Sequence, residues 1–103
     1  MDLLSRLQKW YATQCDGEWE HQSGIQIQTL DNPGWMITIN LVGTELHARP
    51  FQGISEGVDK GNHPVRPRWI HCSLQNGVWQ GASDETQLTR LLEVFLNWAE
   101  CRE

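Results

Sequence analysis

The stretch "GIQIQTLDNPGWMITINL", residues 24–41, decides the fold. Ile25 and Ile27 alternate with Gln26 and Gln28, the period of a strand with one buried face. "DNPG", residues 31–34, is turn chemistry: Pro33 fixes its own φ, Asn32 is pushed to an extended conformation by the proline after it, and Gly34 is expected to take a positive φ. "WMITINL" then places Trp35, Ile37, Ile39 and Leu41 on one face. Strands over 24–30 and 35–41 therefore predict an antiparallel hairpin, with Ile25, Ile27 and Trp35 feeding the core.

Working outward, Leu3, Leu4, Leu7, Trp10 and Tyr11 recur at helical spacing and predict a first helix from about Asp2 to Gln14, stopped by Asp16-Gly17. On the other side, Gly43 allows a turn into "TELHARPF", read as a strand that Pro50 ends or holds at an edge. Residues 52–67, "QGISEGVDKGNHPVRP", show no period and several breakers, and read as a long flexible loop. "RWIHCSL" predicts a strand over 68–74, joined by the type I′ signal Asn76-Gly77 to a short strand over 78–80. Ser83 or Asp84 can cap a last helix, with Glu85 in its first turn and an apolar stripe of Leu88, Leu91, Leu92, Phe95, Trp98 and Ala99.

The order is helix, about five antiparallel strands, helix. This predicts a single α+β domain over 1–103 in two layers, an antiparallel sheet flanked by an N-terminal and a C-terminal helix. A chain of 103 residues suits one core, and six tryptophans supply large apolar area without disulfides or metal. No apolar run approaches the ~20 residues of a membrane span, and "MDLLSRLQKWY" lacks the form of a secretion signal. Three distant cysteines, Cys15, Cys72 and Cys101, do not form a disulfide framework. The expectation is a cytoplasmic protein with reduced thiols.

The net charge of −5 has a location. No Lys or Arg occurs between Lys9 and Arg49, where Asp16, Glu18, Glu20, Asp31 and Glu45 all lie; elsewhere acids and bases balance. Such a segment repels phosphate backbones and anionic lipid, which disfavours nucleic-acid and membrane binding, and attracts a basic partner.

Chemistry is harder to find. Cys15, Asp16, Glu18, Glu20 and His21 are possible metal ligands, with His47, His63, His71 or Cys72 able to join them, yet the paired spacing of a structural zinc site is missing. Cys15 lies near a helix C-terminus among carboxylates, which disfavours a thiolate; Cys72 falls in the apolar register of its strand; Cys101 lies near the last residue. Glu18 and Glu20 could pair as acid and base, since i and i+2 of an extended segment share a side, opposite Trp19 and His21. A metal- or thiol-dependent enzyme built on the Cys15–His21 cluster is therefore the weaker reading. No catalytic residue, cofactor or metal is assigned. An acidic patch flanked by aromatic residues suits recognition of a basic protein. Its expected contacts are Asp16, Glu18, Glu20, His21, Asp31, Asn32 and Glu45, although Asp31 and Asn32 are turn formers first. The carboxylates of 15–35 have no evident folding role.

"LQKWYATQCDGEWEHQSGIQIQTLDNPGWMITINLVGTEL", together with "FLNWAE" near the C-terminus, resembles the immunity protein 53 family of bacterial polymorphic toxin systems. The resemblance rests on Trp10-Tyr11, Cys15-Asp16-Gly17, Trp19-Glu20-His21, Gly24-Ile25 and the run Thr29 to Trp35, and skips 52–67. It implies a cytoplasmic immunity protein that binds and blocks a cognate toxin. It carries no catalytic set, and it leaves the toxin's activity and the oligomeric state open.

Overall fold

The computed structural model describes residues 1–22 and 24–100. In chain order it contains α1 (Leu3–Gln14), a short 3-10 turn (Trp19–His21), β1 (Ile25–Leu30), β2 (Gly34–Asn40), β3 (Ile54–Glu56), β4 (Ile70–Gln75), β5 (Val78–Ser83) and α2 (Leu88–Ala99). The five strands form one antiparallel sheet in the order β1-β2-β5-β4-β3. Both helices lie on one face of it, giving the expected two-layer α+β domain. Among the described residues, no helix is long and apolar enough to cross a membrane. Cys101 lies outside the described residues.

Register decides which side chains meet the helices. Ile37 pairs with Gly81 and Ile39 with Trp79, and Gly81 in turn pairs with Cys72. These residues share the covered face and are fully buried, together with Leu91, Phe95 and Leu96 of α2 and, slightly less completely, Leu7 and Trp10 of α1. Phe95 stands edge-on between Trp10 and Trp79, with ring centroids 5.0 and 5.1 Å away. The indole N–H groups of Trp10 and Trp79 are buried without a partner among the described residues.

Alternate positions form the open face: Gln26 and Gln28, Met36 and Thr38, Gln80 and Ala82, His71 and Ser73, and Ser55. No carboxylate, Lys or Arg stands among them.

Asp2 caps α1 by accepting a hydrogen bond from the Ser5 backbone N–H at 2.7 Å. Gly17 follows the helix with φ +95°, as its stop signal requires. Asn76 and Gly77 both take positive φ, 55° and 76°, as a type I′ turn demands.

Several expectations are corrected. Gly34 is not among the positive-φ glycines, which are Gly17, Gly43, Gly57 and Gly77. Its lack of a side chain serves close approach instead, since a Cβ there would meet the Ser83 carbonyl oxygen of β5. Ile27 is 42% exposed, because β1 is the outermost strand. Residues 44–49 are turns, not a strand: Thr44 donates its hydroxyl to the Leu41 carbonyl, and His47 and Arg49 bond back to Thr44 and Leu46. β2 already has a neighbour on each side, so a strand following it through the Gly43 turn could not have paired with it.

The fifth strand comes from the segment expected to be loop. Ile54–Glu56 pairs with β4, and Val58 bridges to Pro64 beyond it. β5 runs on to Ser83, past the expected end at 80. Neither Ser83 nor Asp84 caps α2. The helix begins after Gln87, which makes no side-chain cap, and Glu85 precedes it.

Asp84 has a different task. It is 2% exposed and accepts from the Trp69 N–H at 2.9 Å, the Gln87 side-chain amide at 2.7 Å, the Thr86 N–H at 2.8 Å and the Thr86 hydroxyl. Gln87 also donates to the Trp69 carbonyl. One carboxylate thereby ties the entry of β4 to the exit of β5 and the approach to α2. Burial alone would raise its pKa, but the bonds from Thr86, Gln87 and Trp69 hold it well below the usual carboxylate range.

Candidate functional site

Four of the seven expected contact residues lie in the connection between α1 and β1. That connection is not extended. Residues 19–21 form a single 3-10 turn that buries Trp19, whose indole N–H donates to the Asn40 carbonyl at 2.8 Å. The expected alternation, with Glu18 and Glu20 opposite Trp19 and His21, is therefore replaced by a turn.

The turn is built by two of the carboxylates. Asp16 Oδ1 accepts the backbone N–H groups of Glu18 and Trp19 at 2.9 and 3.0 Å. Glu20 reaches back and accepts those of Asp16 and Gly17 at 3.0 and 2.9 Å. Four amides that the chain reversal would leave unpaired are satisfied this way, an arrangement akin to a capping box. Both acids are held below their ordinary pKa, Asp16 by the amides of Trp19 and Glu18, Glu20 by its own amide and those of Asp16 and Gly17. Their negative charge is thus fixed in place at neutral pH. Glu18 and His21 are exposed, and their side chains make no hydrogen bond among the described residues.

Glu45 joins this end of the molecule. Its carboxylate accepts from the Gln14 side-chain amide at 3.2 Å, at the C-terminus of α1. Asp31 and Asn32 do not join it. They sit in the β1–β2 turn, separated from residue 24 by the length of β1, ~20 Å at ~3.3 Å per residue. The structure therefore places Asp16, Glu18, Glu20 and His21 in one short connection, sets Glu45 beside Gln14 on a groove it shares with Lys9 and Arg49, and leaves Asp31 and Asn32 at the opposite end of the hairpin.

The Cys15 thiol donates to the Tyr11 carbonyl, 3.3 Å away. Among the described residues, no three His, Cys, Asp or Glu side chains are placed to hold a metal ion. Cys72 is fully buried, and burial pushes its thiol up to about 12.

Two surface features were not legible beforehand. Ser55 and His71, opposite each other on β3 and β4, bond through Oγ and Nδ1 at 3.0 Å on the open face. Among the described residues, no carboxylate hydrogen-bonds the His71 ring. A shallow groove of about 410 Å³ crosses the same face, lined by Asn32, Met36, Asn62, His71 and Gln80 among others. Only strand register could have found either, because their residues are far apart in sequence.

What the fold presents, then, is a two-layer α+β domain with helices on one face of the sheet and, on the other, a row of described side chains without carboxylate, Lys or Arg. The family model described as Immunity protein 53 matches residues 4–100, and the chain belongs to that family. None of the curated proteins and none of the solved structures compared with the chain matches it.

Proposed function

We propose that this immunity-family chain acts in the cytoplasm as the antidote to a cognate toxin, by binding the toxin and occluding it rather than by catalysis. The observation that carries the reading is the base-free stretch between Lys9 and Arg49, which holds Asp16, Glu18, Glu20, Asp31 and Glu45 and sets the first three together as an acidic end between α1 and β1. A basic toxin surface is the complement. Fixed charges of one sign steer such a partner and can raise association rates by ~10–10³, an effect that fades with salt.

The roles divide by what each side chain is already doing. Asp16 and Glu20 form the frame and contribute field. Glu18 and His21 are free to touch the partner, and Glu45 flanks them. Asp31 and Asn32 take part if the toxin also covers the β1–β2 turn.

The test is co-expression and pull-down with whatever toxin domain the neighbouring reading frame encodes, followed by binding kinetics. Glu18→Lys combined with Glu45→Lys leaves the capping bonds of Asp16 and Glu20 intact, so the fold is retained. The expected result is a fall in association rate of ~10-fold or more at low salt, with the difference closing at high salt. A folded double variant with unchanged kinetics would remove the acidic end from the reading.

A further inference from the structure

We propose that β1 is a self-pairing edge, through which two copies of the chain join antiparallel about a twofold axis at Ile27 to make one continuous ten-stranded sheet.

The first ground is hydrogen-bond parity. Asn40 donates its backbone N–H to the Gly24 carbonyl at 3.0 Å, which makes 24 and 40 a hydrogen-bonded pair. Such pairs alternate along an antiparallel ladder, so Gln26, Gln28 and Leu30 bond inward to β2. The N–H and C=O groups of Ile25, Ile27 and Thr29 consequently point outward. Among the described residues no strand lies beyond them.

The second ground is that this edge lacks protection. Edge strands are commonly blunted by shortness, charge, proline or a bulge. The opposite edge follows that rule: β3 has three residues, and its Glu56 carboxylate is paired with Arg90 at 2.7 Å. β1 is six residues long, "IQIQTL", pairs regularly along its whole length, and has no charge, glycine or proline.

The third ground selects the occupant. With the axis at Ile27, the outward groups of Ile27 face those of Ile27 in the second copy, and Ile25 faces Thr29 of the second copy. On the helix side the two Ile27 side chains, each 42% exposed, cover one another. On the open side Gln26 meets Gln28 of the second copy, amide to amide. No like charges are opposed anywhere along the pairing, so the edge complements itself. Tyr11, 39% exposed and beside Gly24 at the start of the strand, extends the apolar border.

One strand pair is small beside the standard interface of ~800 Å² per partner, so association in roughly the 10–300 µM range is expected. Sedimentation equilibrium on the whole chain should show the mass rising with concentration from 11.9 kDa toward twice that value. Ile27→Lys places a charge on the axis opposite its own copy and should weaken association ~10-fold or more. Thr29→Pro removes an outward donor that β2 does not use, and should do the same. Val65→Lys, at a hydrophobe 60% exposed elsewhere on the surface, should change nothing.

A readout without mutation is amide exchange in the unaltered protein: the Ile27 and Thr29 amides should exchange several-fold more slowly as concentration rises. Mass that remains monomeric to roughly 500 µM would overturn the proposal. So would a dimer indifferent to both β1 variants, or equally sensitive to Val65→Lys. The toxin reading stands or falls separately, because its variants lie outside β1.

Discussion

Replacing Asp84 with asparagine tests how the two layers are locked together. The side chain keeps its shape and loses its charge. In the protein the carboxylate accepts four hydrogen bonds, from Trp69 N–H, Gln87 Nε2, Thr86 N–H and Thr86 Oγ1. An asparagine offers one acceptor oxygen, and its NH₂ must then face two of those donors. One buried donor left unsatisfied costs ~1–3 kcal/mol, and bonds to a charged acceptor are worth ~1.5–3 kcal/mol against ~1 for neutral ones. The loss should be about 3 kcal/mol for Asp84→Asn and ~3–5 kcal/mol for Asp84→Ala. At ~4–8 °C per kcal/mol for a domain of this size, the midpoint of melting should fall by ~12 °C or more. The assay is urea unfolding followed by tryptophan fluorescence at neutral pH, repeated toward pH 3. Because the folded carboxyl titrates below its unfolded value of ~3.9, its stabilisation is complete above that value and is lost as pH falls toward the folded pKa. The gap between wild type and Asp84→Asn should therefore narrow in acid. A neutral-pH loss below ~1 kcal/mol, or a gap that widens in acid, would refute the reasoning.

Other consequences follow from single residues. Gly34→Ala should destabilise by about 2 kcal/mol or more, measured by the same unfolding assay, because its Cβ would press on the Ser83 carbonyl oxygen and the two central strands would have to part. In the native protein Cys15 should react with a thiol reagent while Cys72 stays unmodified until denaturant is added, as peptide mapping of the labelled chain would show; Cys15 is exposed, and Cys72 is buried with its thiol pushed up to about 12. Gly77→Ala, at φ +76° with Val42 beside the new methyl group, should lower the melting midpoint by several degrees, whereas Asn76→Gly should leave it nearly unchanged.

Local chemistry was readable in the sequence wherever neighbours in the chain decide the outcome. The stripe of α1, the alternation of β2 and the Asn76-Gly77 turn each carry their own instructions. The reading failed where a distant partner decides. "TELHA" has a passable strand pattern, but both edges of β2 are occupied, so the Thr44 hydroxyl folds the segment into turns. "ISE" is too short to signal a strand, yet β4 offers it an edge. Gly34 looked like a conformational glycine, and only the approach of β5 reveals its real constraint. The acidic segment was legible as charge but not as architecture. Charge alone points Asp16 and Glu20 toward a partner, and the structure also gives them backbone amides to hold, because a reversal between α1 and β1 leaves those amides in need of acceptors. Asp31 and Asn32 share the segment but not the place, since a strand carries its two ends apart.

The order in which the core is assembled has a consequence during synthesis. The residues that fill the centre of the covered face, Leu91, Leu92, Phe95 and Leu96, all belong to α2, which follows every strand in the chain. Arg6 of α1 is tied to Glu100, 94 residues later, at 2.7 Å. A nascent chain that has emerged only as far as β5 holds a sheet whose covered side lacks its α2 layer and a first helix that packs on Trp19 but has no Phe95 to close against. Folding must therefore wait until α2 has left the ribosome. On the proposed function, the delay between translating Leu88 and burying Phe95 is an interval without protection.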